Sequence, residues 1–508
     1  MPLILKNYSK THFRVLPADE ESFNEYKNLY YKMKRKVDGH QFMNAYKFGD
    51  WDGSIDFLHY KTGLVKLGLL GKTLSLIQEG GVQLKGIDKA LYDDNFIGFP
   101  KEQVWEWLKR QKVYSKGKEL TPRQYQLESV VEALNSKRIL VVSPTSSGKS
   151  LIIYLILKFL LEQIENRVLI IVPTKNLVTQ LFNDFCDYEN VTQINWAETS
   201  TDKKRQNDKK VFISTWQTVI RIKDPEFWRE FDGFFVDEAH HCKATSLNKI
   251  NDNLRFAEWR FGFSGSIRKD WKNTDFWNIM SQFGKIHTTT TTKELIDTEQ
   301  IAKVQVILYE LDHTIKYCPK LQYKDELKYI CSMPERNDFI ERLVRNAAGN
   351  VLVLFSLVEK QGKPLYEQLK AAFPERAVLF VYGAVDAQTR EQIRQYAEEN
   401  KDVVIVASYQ TFSTGVNIKN LHNVIFASPT KSFVRVVQSI GRGLRKAENK
   451  TDCTIYDIFD LLYGRPDKNV RGTNYTYRHF LNRLQIYKQE QFPTIMKREV
   501  IIQKDVDK

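Results

Sequence analysis

The sequence predicts an α/β protein in which two parallel-sheet domains follow each other, after a small α+β unit at the N-terminus. Short, fully apolar, β-branched segments alternate with helix-like segments twice along the chain. Strands that are apolar throughout belong to parallel sheets covered by helices on both faces. The length of 508 residues also allows about three domains of ordinary size.

The first hundred residues form the predicted α+β unit. The aromatic and basic segment Tyr26–Lys36 favours a helix, whereas Ser54–His59 and Gly63–Leu70 favour short strands separated by glycines. The segment Lys47–Gly53 is rich in turn-forming residues. Residues 101–120 indicate a helix and a connector to the larger domains.

The two parallel sheets are predicted from strand-like segments with helices between them. The first sheet is expected to contain strands at Ile139–Val142, Val168–Val172, Val211–Ser214 and Phe234–Val236, with helices at Leu151–Glu165 and Leu177–Tyr188. The second is expected to contain strands at Val351–Phe355, Ala377–Tyr382, Val403–Ala407, Val424–Ala427 and Thr454–Ile458, with helices at Pro364–Ala372 and Thr389–Glu399. Residues 270–345 are less regular and are expected to link the sheets. The predicted division is an accessory domain (1–100), two sheet domains (101–300 and 301–460) and a basic C-terminal extension (461–508).

The net charge of +14 indicates a polyanionic partner, which is either nucleic acid or an anionic membrane surface. No apolar segment approaches 18 residues, so no transmembrane helix is expected. The excess of basic over acidic residues is two in residues 1–100, four in 101–300, three in 301–440 and five in 441–508. This spread favours a long groove built from several parts over a single basic tail.

The five cysteines are widely scattered and form no CxxC pair, so neither a disulfide scaffold nor a cysteine zinc site is expected. A reducing cytoplasm fits this usage. The neighbours His240, His241 and Cys242 look metal-like, but adjacent residues on a short segment rarely converge on one ion.

The strongest chemical signal is the segment Ser143–Ser150, SPTSSGKS, which connects an apolar strand to an apolar helix. This is the context of a phosphate-binding loop, in which backbone N–H groups and a helix N-terminus hold phosphate oxygens. Lys149 is expected to reach the β- and γ-phosphates, and the Ser150 hydroxyl to bind Mg²⁺. Because Ser143 stands where the general pattern has its first glycine, the loop by itself does not establish an ATP-binding site.

A second signal is the pair of carboxylates Asp237 and Glu238, which directly follows an apolar strand. Carboxylates at the end of a buried strand need a cationic partner, and Lys149 offers one. Asp237 can then hold Mg²⁺, while Glu238 can orient or deprotonate the attacking water. A solvated turn after a strand is the alternative, and the loop upstream favours ATP hydrolysis over it.

These segments together resemble the motifs of superfamily 2 helicases and translocases, whose fold is a pair of tandem RecA-like motor domains. The resemblance covers residues 121–460, with motif-like segments at Arg123–Gln126, Ser143–Ser150, Pro173–Gln180, Ser214–Thr218, Asp237–His240, Ser264–Ser266, Ala407–Leu421 and Gln438–Arg445. Two positions depart from the pattern: Ser146 replaces a common glycine and Asn417 a common aspartate. Both replacements are small or polar, so we expect activity to survive.

The resemblance implies a role for each candidate site residue. Arg442 and Arg445, three residues apart on one helical face, would act as arginine fingers on the transferring phosphoryl group. Further contacts with ATP are implied for Arg123, Gln126, Thr145, Gly148, Gly415 and Gln438. The resemblance also implies an ATP site in a cleft between the two motor domains. Coupling across that cleft is implied for His240, Gln438, Ser264 and Ser266, although local packing explains each of these nearly as well.

Nucleic-acid contacts are expected in three places. Phosphates of a tracked strand would be contacted by Thr174, Gln180, Thr215 and Thr414. The basic run that includes Lys34 and Arg35 either binds a duplex arm or forms a solvated helix face, and Trp51 is either a core anchor or a base-stacking wedge. Residues of the basic end either line a strand exit or form a helical cap: Arg465, Lys468, Arg471, Tyr475, Tyr477, Arg478, Arg483 and Tyr487.

The segment Tyr46–Gly53, with Ile213–Val219, Ser264–Arg268 and Val406–Gly415, resembles the UvsW-like helicases of T-even-type bacteriophages, and the likeness spans nearly the whole chain. It implies an ATP- and Mg²⁺-dependent DNA motor for forks, Holliday junctions and R-loops in phage recombination, repair and replication restart. Such a motor is expected to be monomeric in the host bacterial cytoplasm, with recombination or single-strand-binding proteins as candidate partners.

Two alternatives stay open at this point. One is a duplex DNA translocase or remodeller that does not separate strands. The other is a nucleic-acid-binding protein with a vestigial ATPase, against which the intact catalytic residues argue.

Overall fold

A computed structural model of the chain contains two seven-stranded parallel sheets and a four-stranded mixed sheet. It describes residues 2–200, 209–241, 245–265, 267, 269–313, 321–415, 418, 420–430, 441, 450–462 and 474–501. The chain forms two units, residues 1–143 with 148–289 and residues 144–147 with 290–508. Among the described helices, none combines the length and the apolar character that a membrane span requires.

The first unit begins with a small α+β fold, as predicted. Its elements are β1 (Leu3–Asn7), β2 (His12–Pro17), α1 (Phe23–Met33), β3 (Lys34–Lys36), α2 (Asn44–Lys47), β4 (Ser54–Asp56), β5 (Leu64–Lys66), α3 (Leu70–Glu79), β6 (Leu84–Ile87) and α4 (Lys89–Phe96). The sheet order is β5-β2-β1-β6, with β6 parallel to β1 and the other pairs antiparallel. The helix predicted to reach Lys36 ends at Met33. Residues Lys34–Lys36 instead form β3, which pairs with β4 in a separate antiparallel ribbon.

The same unit continues into the first parallel sheet. The elements are α5 (Lys101–Leu108), β7 (Val113–Ser115), β8 (Lys118–Leu120), α6 (Gln124–Asn135), β9 (Arg138–Val142), α7 (Lys149–Gln163), β10 (Arg167–Val172), α8 (Lys175–Glu189), β11 (Ala197–Ser200), β12 (Val211–Thr215), α9 (Trp216–Val219), α10 (Pro225–Arg229), β13 (Phe231–Val236), α11 (Thr245–Asn253), β14 (Trp259–Ser264), α12 (Thr274–Phe283) and β15 (Lys285–Thr288). The strands are fully parallel in the order β11-β12-β10-β13-β14-β9-β15. The central strands are buried along their length because helices cover both faces, which explains their continuous apolar sequences.

The N-terminal fold packs directly on the first parallel sheet. One hydrophobic cluster runs from Leu3 and Phe13 of the small sheet to Trp277 and Met280 on α12. At this junction Gly68 lies against the backbone of α12, and a Cβ atom at Gly68 would collide with the Met280 carbonyl oxygen. The close approach of two backbones therefore requires glycine here.

The second unit repeats the sheet of the first. Its elements are α13 (Thr292–Asp297), β16 (Lys303–Asp312), α14 (Tyr323–Cys331), α15 (Pro334–Asn346), β17 (Val351–Phe355), α16 (Lys363–Ala372), β18 (Val378–Val381), α17 (Ala387–Glu399), β19 (Val404–Ser408), α18 (Tyr409–Gly415), β20 (Asn423–Phe426), β21 (Asp452–Leu461), α19 (Tyr475–Gln489) and β22 (Thr494–Val500). The parallel order β18-β19-β17-β20-β21-β16-β22 equals that of the first sheet with each strand number raised by seven. This repetition confirms the predicted tandem of two like α/β domains.

Residues 270–345 are not the irregular linker that the sequence predicts. Their described part contains α12, β15, α13, β16, α14 and nearly all of α15, and β16 is an interior strand paired with both β21 and β22. Polar residues alternate with apolar ones in its first half, so β16 lacks the continuous apolar run by which the other strands were found. The division at residues 100, 300 and 460 stays a prediction.

The basic C-terminal segment contributes to the interior of the second unit. Arg483 is 1% exposed and forms a bidentate ion pair with Asp457, with both N–O distances 2.8 Å. The Tyr487 hydroxyl donates to the same carboxylate at 2.6 Å. For Arg483 and Tyr487 the prediction of a strand exit is therefore wrong, because a buried carboxylate needs this cation and these donors. Arg465, Lys468 and Arg471 lie outside the described residues.

Candidate active site

The segment Ser143–Ser150 connects β9 to α7, so its backbone surrounds the N-terminus of a buried helix. Gly148 caps that helix in the left-handed conformation, with φ of +81°. Ser146, which stands where a glycine is common, also has a positive φ, +72°. Ser147 between them is not among the residues with positive φ, and such a change of φ sign along a loop turns neighbouring N–H groups toward one side, as in anion-binding loops.

The predicted adenine-contacting residues lie against this loop. A Cβ atom at Gly148 would displace the side-chain nitrogen of Gln126, and the positive φ makes glycine the residue that the loop needs for its conformation. The Gln126 amide oxygen accepts a hydrogen bond from the Arg123 backbone at 2.8 Å, closing the N-terminus of α6. The Arg123 guanidinium donates to the Tyr125 hydroxyl at 2.9 Å.

The two predicted carboxylates meet Lys149. Its Nζ lies 2.6 Å from Asp237 Oδ1 and 2.7 Å from Glu238 Oε1, and all three side chains are at most 22% exposed. They converge because β13, which ends just before Asp237, is separated from β9 only by β14. The carboxyl ends of parallel strands share one edge of the sheet, where ligands of such folds bind.

The charges of this cluster are strongly coupled. Burial alone would lower the pKa of Lys149, but the adjacent Asp237 and Glu238 carboxylates raise it above its ordinary value. Burial, aided by the negative charge of Glu238, raises the pKa of Asp237 against the opposing effect of Lys149. Lys149 therefore stays an ammonium ion, and one cation serves two carboxylates.

A chain of contacts joins the cluster to the end of β14. His240 Nδ1 lies 2.9 Å from Ser264 Oγ and 3.3 Å from Glu238 Oε2. The Ser264 carbonyl accepts the backbone N–H of Ser143 at 2.9 Å. Glu238 itself has a positive φ, +52°, which is costly for a glutamate and persists only where neighbours hold it. The predicted couplers His240 and Ser264 thus connect the phosphate loop with the carboxylates.

Sequence reasoning missed Tyr188 on α8. Its hydroxyl lies 2.7 Å from Ser150 Oγ, the hydroxyl predicted to bind Mg²⁺. A serine that donates to a phenol oxygen keeps its lone pairs for a cation, so this contact is compatible with a metal ligand. Nothing in the sequence could reveal it, because the pairing depends on how α7 and α8 cross.

The donor set fits Mg²⁺. Asp237, Glu238 and Ser150 offer carboxylate and hydroxyl oxygens, the ligands that a hard divalent cation prefers. The described residues hold no cluster of three or more histidine, cysteine, aspartate or glutamate side chains suited to a metal ion. His240 instead serves the hydrogen bond to Ser264, and Cys242 lies outside the described residues.

The residues of the first parallel-sheet domain that were predicted to contact a nucleic-acid strand have different surroundings. Thr174 caps α8, its hydroxyl accepting the Leu177 N–H at 3.4 Å. Thr215 is 4% exposed and its hydroxyl lies 3.1 Å from that of Thr218. Gln180 is exposed on α8. Their role in binding nucleic acid stays a prediction.

The basic pair of the N-terminal fold is engaged inside the protein. Lys34 Nζ lies 2.7 Å from Asp52 and 3.8 Å from Asp56. The Arg35 guanidinium stacks 4.6 Å from the ring centroid of Trp277 on α12. Both residues thus have partners within this chain, and their predicted DNA contacts stay a prediction.

The remaining predicted residues lie at the edge of the described part of the chain or outside it. Thr414 and Gly415 end α18, whose last three side chains are not among the described residues. Outside the described residues altogether lie Ser266, Asn417, Gln438, Arg442 and Arg445.

Two family models match the chain. One, described as "Type III restriction enzyme, res subunit", matches residues 119–269, and one described as "Helicase conserved C-terminal domain" matches residues 335–447. The first covers the phosphate loop and the carboxylate pair, and the second falls in the second unit. Fold and site together define a superfamily 2 helicase with tandem RecA-like domains.

Relatives extend this likeness to the whole chain. The chain is 33% identical over 503 residues to the ATP-dependent DNA helicase uvsW of Enterobacteria phage T4, covering 96% of this chain and 97% of that protein. The crystal structure of T4 UvsW matches with a TM-score of 0.50 at 30% identity, over 99% of this chain and 100% of that one. The chain therefore belongs to the UvsW family of superfamily 2 helicases; it is an ATP-dependent helicase whose substrate is nucleic acid.

A more distant structure shares the fold alone. The ATP-dependent Type ISP restriction-modification enzyme LlaBIII bound to DNA matches with a TM-score of 0.54 at 18% identity. The match covers 76% of this chain but 32% of that enzyme.

Proposed function

We propose that the protein uses ATP hydrolysis to move the branch point of branched DNA, at forks, Holliday junctions and R-loops, in phage recombination, repair and replication restart. The observation that carries the motor part is the buried cluster of Lys149, Asp237 and Glu238 beside the phosphate loop. The match to a phage DNA helicase over nearly the whole chain, including the N-terminal fold, supports DNA as the substrate.

The proposed chemistry begins with Lys149. The phosphates of ATP compete with the carboxylates for its ammonium group, so nucleotide binding releases Glu238 Oε1 from a contact of 2.7 Å. The freed carboxylate then orients the attacking water and accepts its proton. Asp237 and Ser150 would hold Mg²⁺, which when bound supplies positive charge to the phosphate oxygens.

The path from chemistry to movement runs through His240. Glu238 Oε2 lies 3.3 Å from His240 Nδ1, which is 2.9 Å from Ser264 Oγ. A shift of Glu238 during the ATP cycle therefore alters a hydrogen bond at the end of β14. We assign coupling to this chain of contacts.

The remaining assignments follow the motif positions. Arg442 and Arg445 act as arginine fingers, and Gln438 joins the couplers. Arg123, Gln126, Thr145, Gly148 and Gly415 complete the nucleotide site. Contacts with DNA phosphates are made by Thr174, Gln180, Thr215, Thr414, Lys34 and Arg35.

A second candidate is a duplex translocase that does not separate strands. The match of residues 119–269 to a family model described as a restriction-enzyme subunit is what supports it. We rank it second because the whole-chain relative bears the name of a helicase.

We further propose a monomeric motor in the cytoplasm of the infected bacterium, since the whole-chain relative comes from a phage. Phage recombination or single-strand-binding proteins are proposed partners.

The deciding experiment compares a fork, a four-way junction, an R-loop and a blunt duplex at one salt concentration. We expect ATP-dependent conversion of the three branched substrates and no separation of the blunt duplex. Lys149→Ala is expected to abolish turnover yet retain DNA binding, since the phosphate-binding ammonium is lost and the strand-contacting residues remain.

Other outcomes select other functions. Displacement of a third strand from a triplex, without conversion of any branched substrate, would establish the duplex translocase. Absence of DNA-stimulated ATP hydrolysis on all four substrates would contradict both motors and leave a binding protein.

A further inference from the structure

The chain passes from the first unit to the second through five consecutive threonines, Thr288–Thr292, here called the threonine run. The run starts at the end of β15 and reaches the first residue of α13. Its first two residues belong to the first unit and its last three to the second. A run of one small polar residue would suit a loose linker. Here, however, every hydroxyl of the run has a hydrogen-bond partner.

The last three threonines are fixed to the second unit. The Thr290 hydroxyl donates to the Glu294 carboxylate at 2.7 Å, and the Thr291 hydroxyl accepts the Glu294 backbone N–H at 3.1 Å. Glu294 also accepts the Thr291 backbone N–H, which completes a capping box at the start of α13. The Thr292 hydroxyl donates to Glu490 at the end of α19, at 2.6 Å. This end of the run is therefore anchored to two helices of the second unit.

The first two threonines are fixed beside the ATP site. The Thr288 hydroxyl accepts a hydrogen bond from Lys269 Nζ at 3.0 Å, and the Thr289 hydroxyl donates to Ser143 Oγ at 3.1 Å. Ser143 is the first residue of the phosphate loop and is 1% exposed. The Thr289 backbone N–H donates to the Val142 carbonyl at 3.0 Å. The run thus begins against the end of β9, at the point where the phosphate loop starts.

The hydrogen bond between Thr289 and Ser143 is not available to phosphate loops in general. The common pattern has glycine at the position of Ser143, and glycine has no side chain that could accept the hydroxyl. Such loops hold phosphates through backbone N–H groups, so bound nucleotide acts on the backbone that carries Ser143. Both residues are also the last of the first unit before the chain passes into the second. The serine that departs from the pattern therefore joins the phosphate loop to the threonine run.

We propose that Thr289 is a positioning residue that couples the phosphate loop to the second unit. A shift of the loop during the ATP cycle moves Ser143, the hydrogen bond transmits the shift to Thr289, and the anchored threonine run transmits it to α13. This inference rests on the proposed motor function. It adds a second route from chemistry to movement beside the one through His240.

The test measures how many base pairs of a fork the full-length protein unwinds for each ATP it hydrolyses. KM and kcat for ATP without DNA are measured in parallel, and melting temperatures confirm that each variant folds. Thr289→Val removes the hydroxyl and keeps the branched shape, whereas Thr289→Ser keeps the hydroxyl. Thr298→Val is the matched control, because its hydroxyl donates to the Glu294 carbonyl at 2.6 Å, beyond the threonine run.

We expect Thr289→Val to keep KM and kcat without DNA within about twofold of the wild type. The number of base pairs unwound per ATP should fall about fivefold, the factor by which one neutral hydrogen bond shifts an equilibrium. Thr289→Ser and Thr298→Val should match the wild type. Ser143→Ala/Thr289→Val should lose no more of this ratio than Thr289→Val alone, because both substitutions remove the same bond.

Three outcomes would overturn the proposal: an unchanged ratio in Thr289→Val, a fall that Thr289→Ser shares, or a further fall of similar size in the double variant. The last would show that the two hydroxyls act independently. If the wild type hydrolyses ATP but unwinds no fork, the proposed motor function fails instead.

Discussion

Replacing Lys149 by methionine tests the electrostatics of the site most sharply. Methionine keeps an unbranched stem of similar length and removes the ammonium group. The side chains of Asp237 and Glu238, 13% and 22% exposed, would then face each other without the cation that both now contact. Breaking a buried ion pair by removing one partner is costly because the other charge stays buried.

The expected loss of stability equals the free energy of the least costly way to relieve the repulsion, which is to protonate one of the two carboxylates. Protonating one carboxylate at pH 7 costs about 1.4 kcal/mol for each unit between its pKa and 7, hence about 4 kcal/mol for an ordinary carboxyl. The pKa of Asp237 is already raised by burial, which reduces this cost somewhat. We expect a loss of about 3 kcal/mol in the free energy of unfolding, or roughly 10 °C in melting temperature for a unit of this size.

The assay is thermal unfolding without nucleotide, followed by circular dichroism. Lys149→Met/Glu238→Gln should recover part of the loss, because it removes one of the two facing charges. Lys285→Met is the control: the Lys285 side chain is 58% exposed and its Nζ lies 3.0 Å from Glu132, so we expect a change below about 1 kcal/mol.

The loss in Lys149→Met should also depend on pH. Without the cation the folded pKa of a facing carboxyl lies above its unfolded value, so the bound proton stabilises the variant at low pH and is lost as pH rises. The penalty is therefore smaller at pH 6 than at pH 8. A penalty below about 1 kcal/mol, or one independent of pH, would refute the account of one cation serving two buried carboxylates.

Three further changes probe the loop and its neighbours. Ser146→Gly should raise the free energy of unfolding by about 1 kcal/mol in thermal melts, because φ is +72° there, and no gain would contradict this. Gly148→Ala should abolish binding of a fluorescent ATP analogue, since φ is +81° there and a Cβ atom would also displace the Gln126 amide; binding at the wild-type affinity would contradict this need for glycine. Tyr188→Phe should raise the Mg²⁺ concentration for half-maximal nucleotide binding about tenfold. Tyr154→Phe, whose hydroxyl contacts Glu189 rather than Ser150, should leave that concentration unchanged, and equal effects would argue against orientation of Ser150.

The core of the active site could be predicted because each part is local in sequence. A glycine-containing loop between an apolar strand and an apolar helix is visible in Ser143–Ser150, and a carboxylate pair after an apolar strand is visible at Asp237 and Glu238. The strand order then brings them together at one edge of the sheet. The sequence also shows that Ser146 replaces a common glycine, and the structure has a positive φ at this position, a conformation that glycine adopts most easily.

Features that depend on distant parts of the chain could not be predicted. The charge of Arg35 is plain in the sequence, but its stacking on Trp277 depends on how the N-terminal fold meets α12. The exposure of Phe42 and Phe48 has no sequence signature, because aromatic residues usually lie inside. Arginine usually lies at the surface, so the sequence could not show that Arg483 is buried and neutralises the carboxylate of Asp457.

The central proposal is that hydrolysis at Glu238 drives the movement of a DNA branch. The most direct measurement follows a fluorescently labelled four-way junction in real time with wild type and Glu238→Gln, at a salt concentration where both bind. The wild type should move the branch only with ATP, whereas the variant should bind ATP and the junction and leave the branch in place. Branch movement by the variant at the wild-type rate, or by the wild type without hydrolysable nucleotide, would contradict the proposal.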